Sequence, residues 1–336
     1  MKLYQRIEAL SRLGEYMLEN ATSWQQAKQA AERQNGWFIE PFVHQASTQI
    51  ARQFLVKENL FSFCQQYLVP DENANPVTVG LVMAGNIPLV GFHDFMCVLL
   101  SGHHLVIKPS SKDDVLIRHL INQLWQWYPS LKSTIQFAEM LKGCHAYIAT
   151  GSNNSSRYFE YYFAKYPHII RKNRTSAAVL TGTETAEQLD GLADDIHLYF
   201  GLGCRNVSKL LVPENYNFEP LLHHLSRYNW MAEHHKYKNN YDYNLSLHIL
   251  NAKYYMSTPA LLLVEDKQPF SAIAQVHYEY YHGNGPLPHQ LPAPDELQCL
   301  AGSTETPFGT AQNPAINQYA DGVDTMDFLT NLKRPA

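Results

Sequence analysis

The chain has 336 residues, of which 45% are hydrophobic and 17% charged, and its formal net charge is −5. This length allows two domains with real cores, and the absence of a basic run or stripe argues against a nucleic-acid partner. The longest apolar runs, such as residues 95–100, are too short to span a bilayer, and five scattered cysteines without a CxxC pair favour reduced thiols in a cytoplasm.

The first part of the chain, residues 2–69, predicts three helices. A second helix is expected from Ser23, a candidate N-cap, to about residue 34, and a third over about 45–66. A polar segment bounded by prolines follows at 69–76 and predicts a linker. Apolar residues at helical spacing mark one face of the first helix: Leu3, Ile7, Leu10, Leu13 and Met17.

Strands and helices alternate after this linker. We expect strands at 77–83, 104–110, 146–150, 177–181, 207–213, 259–265 and 272–280, and helices at 88–102, 113–128, 155–166, 185–200 and 217–228. Such alternation predicts an α/β fold with doubly wound, mostly parallel sheets. The expected organisation is a helical segment at 1–70, a nucleotide-binding domain at 71–172, a catalytic domain at 173–300, and a tail at 301–336 returning to the nucleotide-binding domain.

Two residues are candidates for catalysis. Cys204 follows "GLG" and precedes an apolar strand, and glycines allow both a sharp bend and the close approach of a substrate. A thiolate there would be a nucleophile, although a buried packing cysteine is an equally good interpretation. Asn86 lies at a strand-to-helix turn, where its amide could stabilise an oxyanion. Taken alone, helix capping is the better explanation of this asparagine.

Four other positions are weaker candidates for binding. Lys108 ends a strand where nucleotides bind in such folds, and Gly151-Ser152 opens a helix whose N–H groups could bind phosphate, without the GxGxxG fingerprint. Glu265 follows a strand and could hold a ribose, and Phe308 begins a tight turn. Each has an ordinary structural alternative. The 16 histidines show no convergent spacing, so no metal site is expected.

Four stretches together resemble the aldehyde dehydrogenase superfamily. They are "GNIPLVGFHDFMCVLLSG", "VIKPSSKD", "FGLGCRNVSKLLVP" and "PFGTAQNPAINQYADGVDTMDFL", and they occur in the family's order and spacing. Within the superfamily the chain is similar to the acyl-CoA reductases typified by the fatty-acid reductase of luminous bacteria. The resemblance covers residues 77–330 and implies two doubly wound α/β domains.

The resemblance implies a role for the two catalytic candidates. Cys204 matches the catalytic thiol, and Asn86 matches the asparagine that shares the oxyanion hole with the cysteine's own N–H.

It also implies a nicotinamide dinucleotide as cofactor. Lys108, with Ser110 and Ser111, matches the contacts to the adenosine ribose, and Gly151 and Ser152 match the pyrophosphate seat. Glu265 matches the glutamate that holds the nicotinamide ribose, and Phe308 matches a late Phe-Gly turn. NADPH is the expected form, with NADH as the alternative, because Ser111 stands where many NAD-using relatives carry a carboxylate.

One departure from the family pattern concerns the direction of the reaction. Hydrolytic members carry a general-base glutamate some thirty residues before the cysteine, whereas residues 169–180 here contain no carboxylate. We therefore expect reduction of an acyl thioester, on CoA or a carrier protein, to an aldehyde. A cysteine acyltransferase or thioesterase, an oxidative aldehyde dehydrogenase, and a histidine-rich metal or scaffold protein remain alternatives. The chain is shorter than typical members before residue 77, which leaves a homo-oligomer open.

Overall fold

The computed structural model describes residues 1–151, 153–283 and 285–333. The chain forms two compact units, the first made of Met1–Asn173 with Pro314–Ala336 and the second of Arg174–Asn313. No helix in the described ranges is both long enough and apolar enough to cross a membrane.

The first unit begins with four helices rather than the three predicted. They are α1 (Leu3–Glu19), α2 (Thr22–Gln34), α3 (Glu40–Gln53) and α4 (Lys57–Gln66). The predicted third helix is divided because Phe54 and Leu55 both turn into the core, where a Cβ on Gly14 would stand 2.8 Å from the Leu55 Cβ. Ser23 is not the N-cap of α2, a position that Ala21 occupies, and its hydroxyl instead bonds the Tyr16 hydroxyl at 2.8 Å.

A five-stranded parallel sheet forms the centre of the first unit. Its strands are β1 (Thr78–Val82), β2 (His104–Lys108), β3 (Ile135–Phe137), β4 (Ala146–Thr150) and β5 (His168–Arg171). They lie in the order β3-β2-β1-β4-β5, so the direction of winding reverses between β1 and β4. In sheets of this kind, ligands bind outside the carboxyl ends of the strands at such a reversal.

Three helices connect these strands, namely α5 (Phe92–Ser101), α6 (Val115–Trp127) and α7 (Asn153–Phe163). Helix α5 starts four residues later than Pro88, where the sequence predicted it. Leu89, with φ of 58°, places the chain in the left-handed region before the helix can begin. Gly102, with φ of 76°, ends α5 as a C-cap, in agreement with the sequence prediction.

The second unit contains a six-stranded sheet. Its strands are β6 (Thr175–Val179), β7 (Val207–Pro213), β8 (Met256–Ser257), β9 (Leu262–Glu265), β10 (Gln275–Tyr281) and β11 (Leu297–Ala301). The order is β11-β6-β7-β10-β9-β8, and only β8 runs antiparallel to its neighbour. Its helices are α8 (Ala186–His197), α9 (Phe218–Leu225) and α10 (His235–Leu250).

Residues 314–333 return to the first unit and end in helix α11 (Thr325–Thr330). Arg171 at the end of β5 holds this return segment, because its guanidinium bonds the Thr325 hydroxyl at 2.8 Å and the Ala320 carbonyl. The same guanidinium forms a buried ion pair with Asp94 of α5 at 2.8 Å. One charged cluster therefore ties the sheet, α5 and the return segment together.

Candidate active site

Three predicted residues of the first unit lie at the carboxyl edge of its sheet. Val82, the last residue of β1, pairs with Lys108 on one side and with Ala149 on the other. The loop carrying Asn86, the segment after Lys108, and Gly151 therefore leave the sheet at the same edge. The side chains of Asn86 and Lys108 are both exposed there.

The loops that follow β1 and β2 are fitted tightly to each other. A Cβ on Gly85 would stand only 2.6 Å from the Ser110 hydroxyl oxygen, so a side chain is excluded at this position. The Asp113 carboxylate accepts the Leu89 N–H at 2.6 Å. Burial raises the pKa of Asp113 to about 7, against the opposing effect of that hydrogen bond. Asp113 was not predicted as a site residue, and the only sequence signal was an acidic pair after the lysine.

The segment after Lys108 presents two exposed side chains, those of Ser111 and Lys112. Side chains at the end of α2 hydrogen-bond to the backbone of this segment. The Ser111 carbonyl accepts from the Gln34 amide at 2.9 Å, and the Lys112 carbonyl accepts from the Asn35 amide at 3.1 Å. The backbone is therefore fixed while both side chains stay accessible.

Gly151 marks the point where β4 passes into α7. A Cβ at this position would stand 2.8 Å from a Phe159 ring carbon and 2.9 Å from the Ser155 Cβ, so only glycine permits this close helix–strand approach. Close packing of this kind brings a helix N-terminus to a strand end, as in dinucleotide-binding folds. Ser152, also predicted to face a pyrophosphate, lies outside the described residues. This edge of the sheet thus combines an exposed cation, Lys108, with a closely packed strand-to-helix turn at Gly151.

In the second unit, the buried side chain of Asn206 fixes the turn that carries Cys204. Its Oδ1 accepts the Gly203 N–H at 2.8 Å. Its Nδ2 donates to three carbonyls around the end of α8, those of Asp195, Ile196 and Leu198, at 3.1, 3.2 and 2.9 Å. Cys204 itself is half-buried. The thiol therefore lies on a turn that cannot easily shift.

The predicted Phe308 turn is held by the same end of α8. Asp195 is fully buried, and its two carboxylate oxygens accept the N–H groups of Gly309 at 2.7 Å and Ala311 at 3.0 Å. Burial raises the pKa of Asp195 to about 7, against these two hydrogen bonds. The half-buried Phe308 ring lies on Gly302, where a Cβ would stand 2.5 Å from its Cζ. Asn206 and Asp195 thus connect the cysteine turn to the Phe308 turn, a link that the sequence analysis missed.

A second cysteine lies beside the Cys204 turn. The Ser176 hydroxyl donates to the Cys204 carbonyl at 3.1 Å and also contacts the Cys299 sulfur at 3.1 Å. Burial raises the pKa of the Cys299 thiol, while hydrogen bonds from Ser176 and Arg205 oppose this effect. No sequence motif pointed to Cys299, because it is brought here only by the pairing of β11 with β6.

Glu265, which was predicted to hold the nicotinamide ribose, lies two strands away from β7, the strand that follows the cysteine turn. It is exposed at the end of β9 and pairs with Tyr278, which in turn pairs with Leu210 in the middle of β7. Cys204, in contrast, precedes the amino end of β7. Within the described residues, no group of histidines, cysteines and carboxylates is arranged to hold a metal ion.

Solved structures with the same architecture are aldehyde dehydrogenases. Aldehyde dehydrogenase 21 from Physcomitrella patens, in complex with succinate, matches 84% of this chain and 69% of its own with a TM-score of 0.63 at 12% identity. An NAD+ complex of the enzyme from Mycobacterium tuberculosis matches 84% and 69% with a TM-score of 0.61 at 12% identity. An NAD+ complex of the Bacillus cereus enzyme matches 84% and 68% with a TM-score of 0.61 at 13% identity.

The chain has the aldehyde dehydrogenase fold. This confirms the fold class predicted from the sequence, including the two mostly parallel α/β sheets. No family model and no curated protein matches the sequence. At 12–13% identity the likeness extends to the fold alone. The chemistry depends on the side chains that this chain places on that fold.

Proposed function

We propose that this protein is an NAD(P)H-dependent reductase that converts an acyl thioester into an aldehyde through an acyl-cysteine. The observation that carries the proposal is the half-exposed Cys204 thiol on a turn fixed by the buried Asn206 amide. A nucleophile needs such a defined position, because misplacement of the reacting atom costs rate steeply. A cysteine that served only packing would need neither exposure nor a fixed turn.

The first chemical step belongs to Cys204. Its sulfur attacks the thioester carbonyl carbon, a carbon–sulfur bond forms, and the carrier thiol leaves with a proton. The Cys204 N–H and the Asn86 amide are the proposed donors to the oxyanion. Each donor of this kind contributes about 3–4 kcal/mol to transition-state stabilisation in comparable sites.

The first unit supplies the proposed cofactor seat. Lys108, Ser110 and Ser111 would contact the adenosine ribose, and Gly151 would let the pyrophosphate approach the start of α7. Phe308 is a further proposed contact of the cofactor. When bound, the reduced nicotinamide supplies the hydride that the acyl group needs. Glu265, which is exposed at the end of β9, is the proposed contact to the nicotinamide ribose.

The direction of the reaction follows from how the carboxylates are placed. Residues 169–180 contain no carboxylate. Asp195, which is linked to the cysteine turn through Asn206, is fully buried and accepts two backbone N–H groups. It therefore cannot activate water, and an acyl-cysteine would persist until it is reduced.

NADPH is the proposed form of the cofactor. The exposed Ser111 hydroxyl leaves room for a 2′-phosphate where a carboxylate would repel it, and the exposed Lys112 adds a cation nearby. We expect a lower KM for NADPH than for NADH. Ser111→Glu should raise the KM for NADPH more than that for NADH, and an equal change in both would contradict this assignment.

The test is NADPH consumption with a series of short, medium and long acyl-CoAs, with the aldehyde trapped by hydrazine. Cys204→Ala should abolish aldehyde formation, while Cys144→Ala, which alters a buried cysteine of the first unit, should retain it. Release of CoA without NADPH consumption would instead indicate a thioesterase or acyltransferase. Formation of acid from aldehyde and NADP+ as the faster reaction would reverse the proposed direction.

A further inference from the structure

The second unit holds two cysteines on either side of one serine. Ser176 is fully buried, and its hydroxyl oxygen lies 3.1 Å from both the Cys204 carbonyl oxygen and the Cys299 sulfur. A hydroxyl has one hydrogen, and the Cys204 carbonyl accepts it. The same hydroxyl oxygen contacts the Cys299 sulfur, so the Cys299 thiol lies beside the cysteine turn.

The strand pairing around Ser176 is distorted on both sides. On β11, Leu297 pairs with Thr175 and Leu300 with Ala177, so two residues, one of them Cys299, stand opposite Ser176. The pairing with β7 also shifts register after Ser176. Such bulges re-aim side chains and are common next to active sites. Here the bulge on β11 brings Cys299 to the face of β6 on which the Cys204 carbonyl lies.

We propose that Cys299 is a resolving thiol, which captures Cys204 after oxidation by a peroxide and forms a reversible Cys204–Cys299 disulfide. The inference rests on the proposed function only in taking Cys204 as the reactive thiol. Both cysteines are partly accessible, as peroxide access and later reduction require. The result would be protection of the nucleophile from irreversible oxidation, at the cost of temporary inactivity.

The chemistry balances in two steps. The Cys204 thiolate attacks peroxide, an S–O bond forms, the O–O bond breaks, and hydroxide leaves, giving a sulfenic acid. The Cys299 sulfur then attacks the Cys204 sulfur, an S–S bond replaces the S–O bond, and the departing hydroxide takes the Cys299 proton as water. A dithiol reductant later restores both thiols by exchange.

Burial around Cys299 supports this division of roles. Since burial raises the pKa of its thiol, Cys299 is a poor first target for peroxide, which reacts with thiolates. The Arg205 side chain hydrogen-bonds to Cys299 and would stabilise the thiolate that forms as it attacks. In the second step, Cys299 attacks Cys204 because the two residues lie close together, although the Cys299 thiol is itself weakly reactive.

The experiment treats the purified full chain with a small excess of hydrogen peroxide, blocks remaining thiols with iodoacetamide, and maps disulfides by mass spectrometry of tryptic peptides. We expect a peptide pair joined through Cys204 and Cys299, lighter by two hydrogens than the reduced pair. Denatured protein should lose two of its five titratable thiols. Non-reducing electrophoresis should show no chain-to-chain cross-link.

Matched variants separate this inference from the proposed function. In Cys299→Ser, peroxide should drive Cys204 to the sulfinic acid, and dithiothreitol should restore little of that variant's own untreated activity. The wild type and Cys144→Ser should regain most of theirs. If no reductase activity exists but the Cys204–Cys299 peptide forms, the proposed function fails and this inference stands. Absence of that peptide, a different pairing, or full recovery of Cys299→Ser would overturn the inference.

Discussion

Asn206 combines four hydrogen bonds in one side chain that is 3% exposed. Its amide satisfies three carbonyls left at the end of α8 and one N–H of the cysteine turn. Buried backbone groups without partners are expensive, so a single amide can decide the course of the chain on both sides of Cys204. Residues that shape this site need not be the residues that react.

Replacement of Asn206 tests this role. Asn206→Ala leaves one N–H and three carbonyls without their partner, and we expect a loss of about 2–4 kcal/mol in the free energy of unfolding. Aldehyde formation should fall as the thiol loses its fixed position. Urea titrations and steady-state rates measure both effects. Asn206→Asp, which keeps the acceptor and loses the donors, should behave like the alanine variant; wild-type stability in either would contradict the interpretation.

Asp113 makes stability depend on pH. Its pKa in the folded protein is about 7, raised by burial, whereas an unfolded aspartate titrates near 3.9. The folded state thus binds this proton more tightly, so the contribution is complete below about pH 4 and is lost as the pH rises towards 7, by about 1.4 kcal/mol per unit.

Asp113→Asn should remove this pH dependence. The amide keeps an acceptor for the Leu89 N–H and carries no charge at any pH. Urea unfolding at pH 5, 6, 7 and 8 should show the variant gaining stability relative to the wild type up to about pH 7 and no further above it. Parallel stability curves would show that Asp113 does not titrate in this range. Asp195, whose pKa is shifted the same way, remains in both proteins.

At the scale of elements, α5 and α11 depend on one ion pair. Arg171 of β5 bonds Asp94 of α5 through two nitrogens, at 2.8 and 3.3 Å, and holds Thr325 of α11 as well. The pKa of Asp94 stays below its ordinary value, because the charge and hydrogen bonds of Arg171 outweigh the raising effect of burial. Either partner alone would be a buried charge without its counter-ion.

Removal of one partner should therefore cost more than removal of both. Arg171→Met should lower the free energy of unfolding by about 3–5 kcal/mol, since it strands the Asp94 carboxylate. The double variant with Asp94→Leu should recover part of that loss. Thermal and urea unfolding of the single and double variants measure the difference. A double variant less stable than either single one would mean that the pair stabilises the unit on balance.

Elements specified by neighbouring residues could be predicted from the sequence, whereas those that depend on contacts between distant residues could not. Strands 146–150 and 207–213 have the predicted bounds, because short, mainly apolar runs specify buried strands. Helix α10 was missed because only Tyr237, Tyr241 and Asn244 of its 16 residues are buried, so it lacks an apolar stripe. The contact between Asp195 and Gly309 joins positions 114 residues apart, and no local pattern specifies it.

At the scale of the whole molecule, the placement of the carboxylates determines whether an acyl group on Cys204 would meet a base that activates water. An acyl-cysteine can be hydrolysed or reduced, and a base that activates water favours hydrolysis. This chain has no carboxylate at 169–180 and has Asp195 sealed inside. Under the proposed function, an acyl group on Cys204 should therefore be long-lived.

That intermediate should be observable. Acyl-CoA added without NADPH should release about one CoA per chain and then stop, because one thiol is acylated and water is not activated. Intact-mass measurement should find one acyl group, located on the peptide that contains Cys204, and Cys204→Ala should carry none. Continued CoA release without NADPH would show that water reaches the acyl group.

The return of residues 314–333 to the first unit has a consequence for biosynthesis. The residues of the second unit are all synthesised before Thr325, whereas β5 and α5 depend on Thr325 to complete the cluster around Arg171. Since domains tend to fold as units, the second unit can mature without the last residues of the chain, and the first unit cannot. A released chain that ends at residue 313 should therefore resist protease over 174–313 and remain cleavable over 1–173.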